Sequence, residues 1–377
     1  MNRVAVRAAR PADVDAVVAF TGDTWGDRSD DYVPRVFADW VAADDDARRT
    51  LVATVAADDP ALPEDDATLV TGDGTGTAAP GEPEAVVGCI QGVRLSEWEA
   101  WAQGIRVHPA ARGLGAGSRL TRAVLRWARD AGATVCRNMV FSWNVAGLGQ
   151  SRAAGFEPTT AFRFAHPEPA SEADRDAPAI AAVDDPDPDA AWAFWRGSDA
   201  RAHLDGLALD PAESWACSEL TRERLAAAAA EGRLIAVADG GVAGVAVHAR
   251  ITADESIRAG DDAGGTGRDD GDGADAGGTG DDGDGPDADE ADGDREADRT
   301  AVYGVAAWRD AAAAGELFGA IARDAAGRDA TATRVLVPET VEHVSDAAVN
   351  RVRVAAEPDF VTTADLTDPA VNGDRVA

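Results

Sequence analysis

The residues with the plainest chemical meaning lie in one run, GIRVHPAARGLGAGSRL, at positions 104–120. A stretch patterned as a strand ends at Val107, and Pro109 lacks the N–H that would extend a ladder. The chain Arg112-Gly113-Leu114-Gly115-Ala116-Gly117 then turns into a helix beginning at Ser118. Glycines let a backbone turn sharply and approach a ligand closely. Consecutive N–H groups backed by a helix N-terminus converge on one point and favour negative charge there. The run reads as an anion cradle that a diphosphate fits. A mononucleotide loop needs Gly-Lys-Ser/Thr after its glycines, and the chain has no lysine. A dinucleotide fingerprint starting at Gly113 needs a third glycine where Ser118 stands. The plain alternative is a glycine turn that only caps a helix.

The cradle needs a strand before it and a helix behind it, and the surrounding pattern supplies both. Strands are expected at 4–7, 50–56, 85–95, 100–107 and 133–142, with another from about 160. Helices are expected at 11–20, 32–41, 118–130 and 145–154. Val33, Val36, Phe37 and Trp40 share one face of the second helix; Leu120, Val124 and Trp127 share one face of the third, which Gly132 closes. The order is β-α-α-β-β-β-α-β-α-β. Two acidic segments, 57–83 and 259–299, hold too little apolar surface to offset chain entropy, so both are expected as mobile loops outside the core. GGTGRD and GGTGDD in the second fit the start of a calcium-binding β-roll repeat, but glycines (Gly271, Gly283) stand where that repeat needs an apolar residue.

Arg112, Gly115 and Gly117 fit the pattern [QR]xxGx[GA], preceded by Val107-His108-Pro109, and Asn144 stands eleven residues before Gly155-Phe156. On these residues the first 165 or so positions resemble the GNAT superfamily of acetyl-CoA-dependent N-acetyltransferases. The resemblance implies an α/β (α+β) fold, a mixed central sheet flanked by helices, with pantetheine lying between two parted strands. It implies acetyl-CoA as co-substrate. Ile105 and Val107 would be backbone partners of the pantetheine. Arg112, Gly113, Leu114, Gly115, Ala116, Gly117 and Ser118 would bind the diphosphate, and Asn144 would lie near the thiol end. Trp25 and Asp31-Tyr32-Val33-Pro34 resemble the substrate-side helix of a subgroup that includes amino-acid N-acetyltransferases; Phe37 and Trp40 beside them read as helix packing.

One departure bears on catalysis. Many members place a tyrosine seven residues after the helix-opening Asn, as acid to the leaving thiolate; here that position is Ser151. The implied reaction is direct attack by a primary amine in a ternary complex. It needs an uncharged amine, hence a base. Glu99 and Glu97, just ahead of the strand at 100–107, are the candidates, and alternation puts them on one face. Both also fit as exposed acids. His108 reads as structural. A silent CoA-binding protein and a transferase for another acyl group remain open alternatives.

The second half repeats a version of the pattern. Helices are expected at 188–196 and 221–230, a hairpin at 233–238 and 242–251 around Asp239-Gly240-Gly241, then a strand at 301–308, a helix at 311–326, a strand at 334–337 and a further helix. The expected domains are 1–167 and a degenerate GNAT-like unit at 180–370. Its equivalent loop, Arg309-Asp310-Ala311-Ala312-Ala313-Ala314-Gly315, cannot cradle a diphosphate. That half should bind no CoA and should buttress the first or close over its cleft.

Composition bounds the partners. A formal charge of -33 disfavours nucleic acid and anionic membranes, and no apolar run reaches the length of a membrane span. A lysine-free, Ala/Asp-rich, acidic chain resembles proteins of extreme halophiles. Cys89, Cys136 and Cys217 are far apart and odd in number, which argues for a reducing cytoplasm and no structural metal. The acceptor is expected to be a small-molecule or amino-acid-like amine; the oligomeric state is open.

Overall fold

Alternating and helical apolar spacing translate directly into elements. The computed structural model describes residues 3–22, 24–28, 31–63, 66, 68, 69, 71, 72, 83–172, 181–253 and 299–368. The first half runs β1 (Ala5–Ala8), α1 (Val14–Thr21), α2 (Val33–Ala42), β2 (Arg48–Ala56), β3 (Thr71–Gly72), β4 (Glu84–Arg94), β5 (Glu99–Val107), α3 (Ala116–Asp130), β6 (Val135–Phe141), α4 (Val145–Ala153) and β7 (Glu157–His166). The second runs α5 (Pro188–Gly197), α6 (Asp199–His203), β8 (Leu207–Leu209), β9 (Cys217–Glu219), α7 (Arg222–Ala230), β10 (Leu234–Ala238) and β11 (Val242–Thr252). It continues with β12 (Thr300–Trp308), α8 (Ala311–Gly327), β13 (Ala332–Pro338), α9 (Val341–Val349), β14 (Arg353–Val354) and β15 (Asp359–Asp365).

The fold is the expected mixed sheet flanked by helices, but it is one continuous sheet. Its order is β1-β2-β4-β5-β6-β15-β7-β13-β12-β11-β10. Three antiparallel steps from the β1 end lead to the parallel pair of β5 with β6, and two from the β10 end lead to the parallel pair of β12 with β13. The centre departs from the expected domains. β15, from the second half, pairs with β6, and β7, from the first, pairs with β13. β15 and β7 then pair with each other. Each half therefore completes its sheet with the other's last strand, and a boundary near 167 divides the sequence without dividing the sheet.

Packing follows the apolar stripes. Leu120, Val124, Leu125 and Ala128 of α3 are buried against β2, β4 and β5. Gly92 of β4 admits the helix: a Cβ there would lie 2.7 Å from the Trp127 ring and 2.9 Å from Val124. The first acidic segment corrects its expectation in part. Leu62 and Leu69 pack on the core of the first half, Asp59 is buried and bound by Arg3, and β3 pairs with β4. Two leucines and one ion pair suffice to dock a segment whose average composition argued against it. The second acidic segment, up to 298, lies outside the described residues.

The ends of that second segment do have a place. Thr252 of β11 faces Thr300 of β12 in the antiparallel ladder. Replacing 254–298 by a two-residue Asn-Gly turn should thus leave folding and coenzyme affinity within about twofold of the parent, since closure entropy changes by only about 0.6 kcal/mol per doubling of length. Thermal unfolding and a coenzyme titration test it; loss of the folded state would show the segment to be structural.

Candidate active site

β5 and β6 pair only from Glu99 to Trp101 against Val135 to Arg137, then part. A groove opens between them and runs past the glycine loop. Its loop end is lined by Ile105, Arg106, Val107, Arg112, Gly113, Gly115, Ala116, Gly117 and Ser118, faced by Asn144, Gly147 and Gln150 of α4 and its cap. Gly113 and Gly115 hold φ of +80° and +84°, the left-handed region where glycine is unstrained. A Cβ on either would meet nothing within 4 Å, so open space lies in front of both. Gly115 is the N-cap of α3 and brings no capping side chain, which leaves the helix's first N–H groups to an external anion. Ala116 and, in part, Leu114 pack into the core, so their contribution to an anion is backbone only. His108 is a pin: buried, its Nδ1 accepts from the Ala110 N–H at 3.1 Å, and its Nε2 is 2.7 Å from Thr68 Oγ1. Burial lowers its pKa.

The other end of the groove lies where β5 bulges. The β4–β5 register shifts between Cys89 and Gln91, opposite Arg106 and Gln103. Gly104, at φ +63°, makes the bulge possible; a Cβ there would sit 2.5 Å from the Trp40 ring. The bulge takes Gly104 and Ile105 out of the ladder where the strands part. Trp25, Tyr32, Trp101, Gln103, Phe141, Ser151 and Trp215 line the cleft around it. Trp25, Ile105, Arg106, Asn144, Gly147 and Gln150 line both ends, so the two form one passage.

Most of the expected residues meet here, though not all in the expected part. Trp25 stands at the junction, edge-on to Trp143 at 5.3 Å and to Phe141 at 6.2 Å, with the Arg106 guanidinium 4.6 Å from its ring. Tyr32 lines the cleft, and burial pushes its hydroxyl up to about 12, so it stays protonated. Asp31 is instead buried in a two-pronged bond to Arg106, at 2.6 and 2.9 Å, and accepts the Val33 N–H. Its carboxylate fixes Arg106 rather than facing a substrate. Asn144 caps α4 by accepting the Gly147 N–H at 2.9 Å. Ser151 is buried beside it; its oxygen accepts from Asn138 Nδ2 at 2.9 Å, and Asn138 in turn accepts from Thr362 of β15. The exchanged strand thus supports the serine that replaces the expected tyrosine.

Neither glutamate reaches the cleft. Glu99 is fully buried where β5 and β6 are still paired, holding Arg137 at 2.6 Å, the Glu219 N–H at 2.9 Å and Ser96 Oγ at 3.1 Å. Glu97 is exposed in the turn before it. Alternation would put them on one face, but Glu97 lies outside the strand and Glu99 sits where β5 and β6 are still paired. Loop 210–216 of the second half brings a carboxylate and a ring that no local motif marked. Glu213 accepts from Gln103 Nε2 at 2.8 Å, and Trp215 lines the cleft. The available signal was only an acid and an aromatic close together in a polar turn.

The loop of the second half is closed by its own acid. Asp310 caps α8, accepting the Ala313 N–H at 2.9 Å, so a built-in carboxylate occupies the place of a bound anion. The space between β12 and β13 is covered by α6 and β8, with the Leu209 carbonyl oxygen 3.0 Å from where a Gly304 Cβ would be.

Residues 23–149 match the family model described as Acetyltransferase (GNAT) family. Over 97% of this chain and 96% of that one, the fold is similar to the crystal structure of a GCN5-related N-acetyltransferase from Sphaerobacter thermophilus, at 14% identity and a TM-score of 0.50. Smaller matches cover the equivalent of one half. They include Ard1 from Thermoplasma volcanium, at 21% identity over 42% of this chain and 86% of that one, TM-score 0.31. Another is the PaiA N-acetyltransferase from Thermoplasma acidophilum in complex with coenzyme A, at 12% identity over 41% and 90%, TM-score 0.30. No curated protein matches the chain.

Proposed function

Because residues 23–149 match the model of the GNAT acetyltransferase family, we propose that the chain transfers an acetyl group from acetyl-CoA to a primary amine, by direct attack in a ternary complex. The observation that carries this reading is the single passage from the glycine loop to the aromatic cleft, with Ile105, Arg106 and Asn144 lining both parts. Bound acetyl-CoA supplies the thioester. The N–H groups at the start of α3 would hold its diphosphate, and the parted edge of β5 its pantetheine. The bulge at Gly104 and Ile105 offers backbone N–H groups where negative charge develops. Ser151, fixed through its oxygen by Asn138, keeps its proton to offer to the departing sulfur.

Direct attack is favoured over an acetyl-enzyme route because the thiols are ill placed. Cys89, Cys136 and Cys217 are fully buried, and burial pushes each up to about 12, so none offers a thiolate. The second half is, on this reading, a second GNAT-like unit whose cradle is filled by Asp310. The acceptor is a small-molecule or amino-acid-like amine. The test is transfer of radiolabelled acetyl groups to a panel of amines at high salt. Label is expected on an amine, with none on protein precipitated before amine is added. Coenzyme binding without transfer to any amine would overturn the reading.

A further inference from the structure

The acceptor end of the groove is not built by the first half alone. Loop 210–216 reaches across to β5, and Asp210 holds it in shape by accepting the Ala212 and Glu213 N–H groups at 2.9 and 3.1 Å and the Ser218 hydroxyl at 2.8 Å. Trp215 has φ +66°, a conformation that a bulky residue keeps only where its surroundings impose it. Here they do. Phe141 and Phe164 meet its ring edge-on at 6.4 and 6.2 Å, and the Arg334 guanidinium lies 4.1 Å from its centre. The half-buried ring is held as part of the cleft wall, with Trp25, Tyr32, Trp101 and Phe141 as the other aromatic walls. Glu213 stands one hydrogen bond behind Gln103, which lines the same cleft and also donates to Gln91.

We propose that Glu213 takes the proton of the incoming ammonium and that Trp215 carries the acceptor's body. The second half would thereby choose the acceptor: a primary amine, admitted as its cation, on a flat apolar body. This rests on the amine-acetylation reading above. Aromatic faces attract a cation and stack a planar group. Glu99, the buried acid of β5, is committed to Arg137 and the Glu219 N–H. The groups acting on Glu213 are Gln103 of β5, Arg48 of β2 at 3.9 Å, Asp210 of its own loop and Arg250 of β11; Tyr32 is near enough to feel its charge. Burial outweighs the cations and raises its pKa above the ordinary carboxylate value, which makes it a better base. One ammonium proton passes to Glu213 through one water, since Gln103 stands between the carboxylate and the cleft. The freed lone pair forms the N–C bond as the C–S bond breaks. The sulfur keeps that bond's electron pair and takes the Ser151 proton, the second proton of the nitrogen restores the serine, and Glu213 releases its own to solvent.

The test compares tryptamine with ethanolamine as acceptors, from pH 5 to 9. Wild type should favour tryptamine at least tenfold in kcat/KM, with an acid limb set by Glu213. Glu213→Gln should lower kcat about a hundredfold or more, abolish that limb, recover partly at high pH and bind CoA normally. Glu213→Asp should restore part of kcat together with the limb, which a merely structural carboxylate would not do. Trp215→Leu should raise KM for tryptamine about tenfold and that for ethanolamine by a much smaller factor. Wild-type kcat and an intact acid limb in Glu213→Gln would overturn the proposal while the reaction stands, as would equal losses for both amines in Trp215→Leu. Transfer to no amine by wild type would instead overturn the reaction itself.

Discussion

Gly117→Asp is expected to weaken coenzyme binding by about a hundredfold or more and leave the fold intact. Gly117 lies in the first turn of α3, and a Cβ there would meet Gln150 Cγ at 3.5 Å and Val107 Cγ2 at 3.6 Å, ordinary contact distances. A carboxylate at a helix N-terminus does not harm the helix. It does add a charge where the diphosphate would sit. Two unit charges 4 Å apart repel by about 4 kcal/mol at an effective dielectric of 20, and screening leaves on the order of a hundredfold or more in Kd. Gly115→Asp is the poorer test, because φ +84° strains any side chain and confounds affinity with folding. Calorimetric titration with CoA in high salt, beside thermal unfolding, checks the expectation. Retained affinity in a folded variant would remove the loop from the coenzyme site.

The second large effect is on folding. A chain ending at Pro358 loses β15, which stands in the middle of the sheet with seven residues paired to β6 and five to β7. The first half keeps its local motifs, yet Asn138 loses Thr362, and buried Val361 and Ala364 leave the core. Two central strand edges would be left with unpaired N–H and C=O groups, a costly state. The expected result is loss of cooperative unfolding and association of the truncated chain, seen by circular dichroism and size-exclusion chromatography. A monomeric truncated protein that still binds CoA would show the exchange to be dispensable.

What was legible in the sequence was local. The elements of the first half fall within a few residues of their apolar patterns, and Arg112, Gly113, Gly115, Ala116, Gly117 and Ser118 line the groove. What was not legible depends on distance along the chain. Thr362 meets Asn138 across 224 positions, and Glu213 meets Gln103 across 110. Neither leaves a local spacing to find. The glutamates show the same limit in reverse. Alternation gives a face, but whether that face is open depends on where β5 and β6 cease to pair, which is set by the partner strand. The carboxylate of Asp31, expected on the substrate side, is claimed by Arg106, a partner 75 residues away.

The exchange of last strands also orders events during synthesis. β6 and β7 emerge from the ribosome well before the segment that must lie between them, so the first half waits, with two sheet edges exposed, while some two hundred further residues are made. Long-range pairing of this kind slows folding and lengthens the interval open to wrong associations. A surface dense with like charge then has a second use. It keeps nascent chains apart from one another until the late strand arrives to close the sheet.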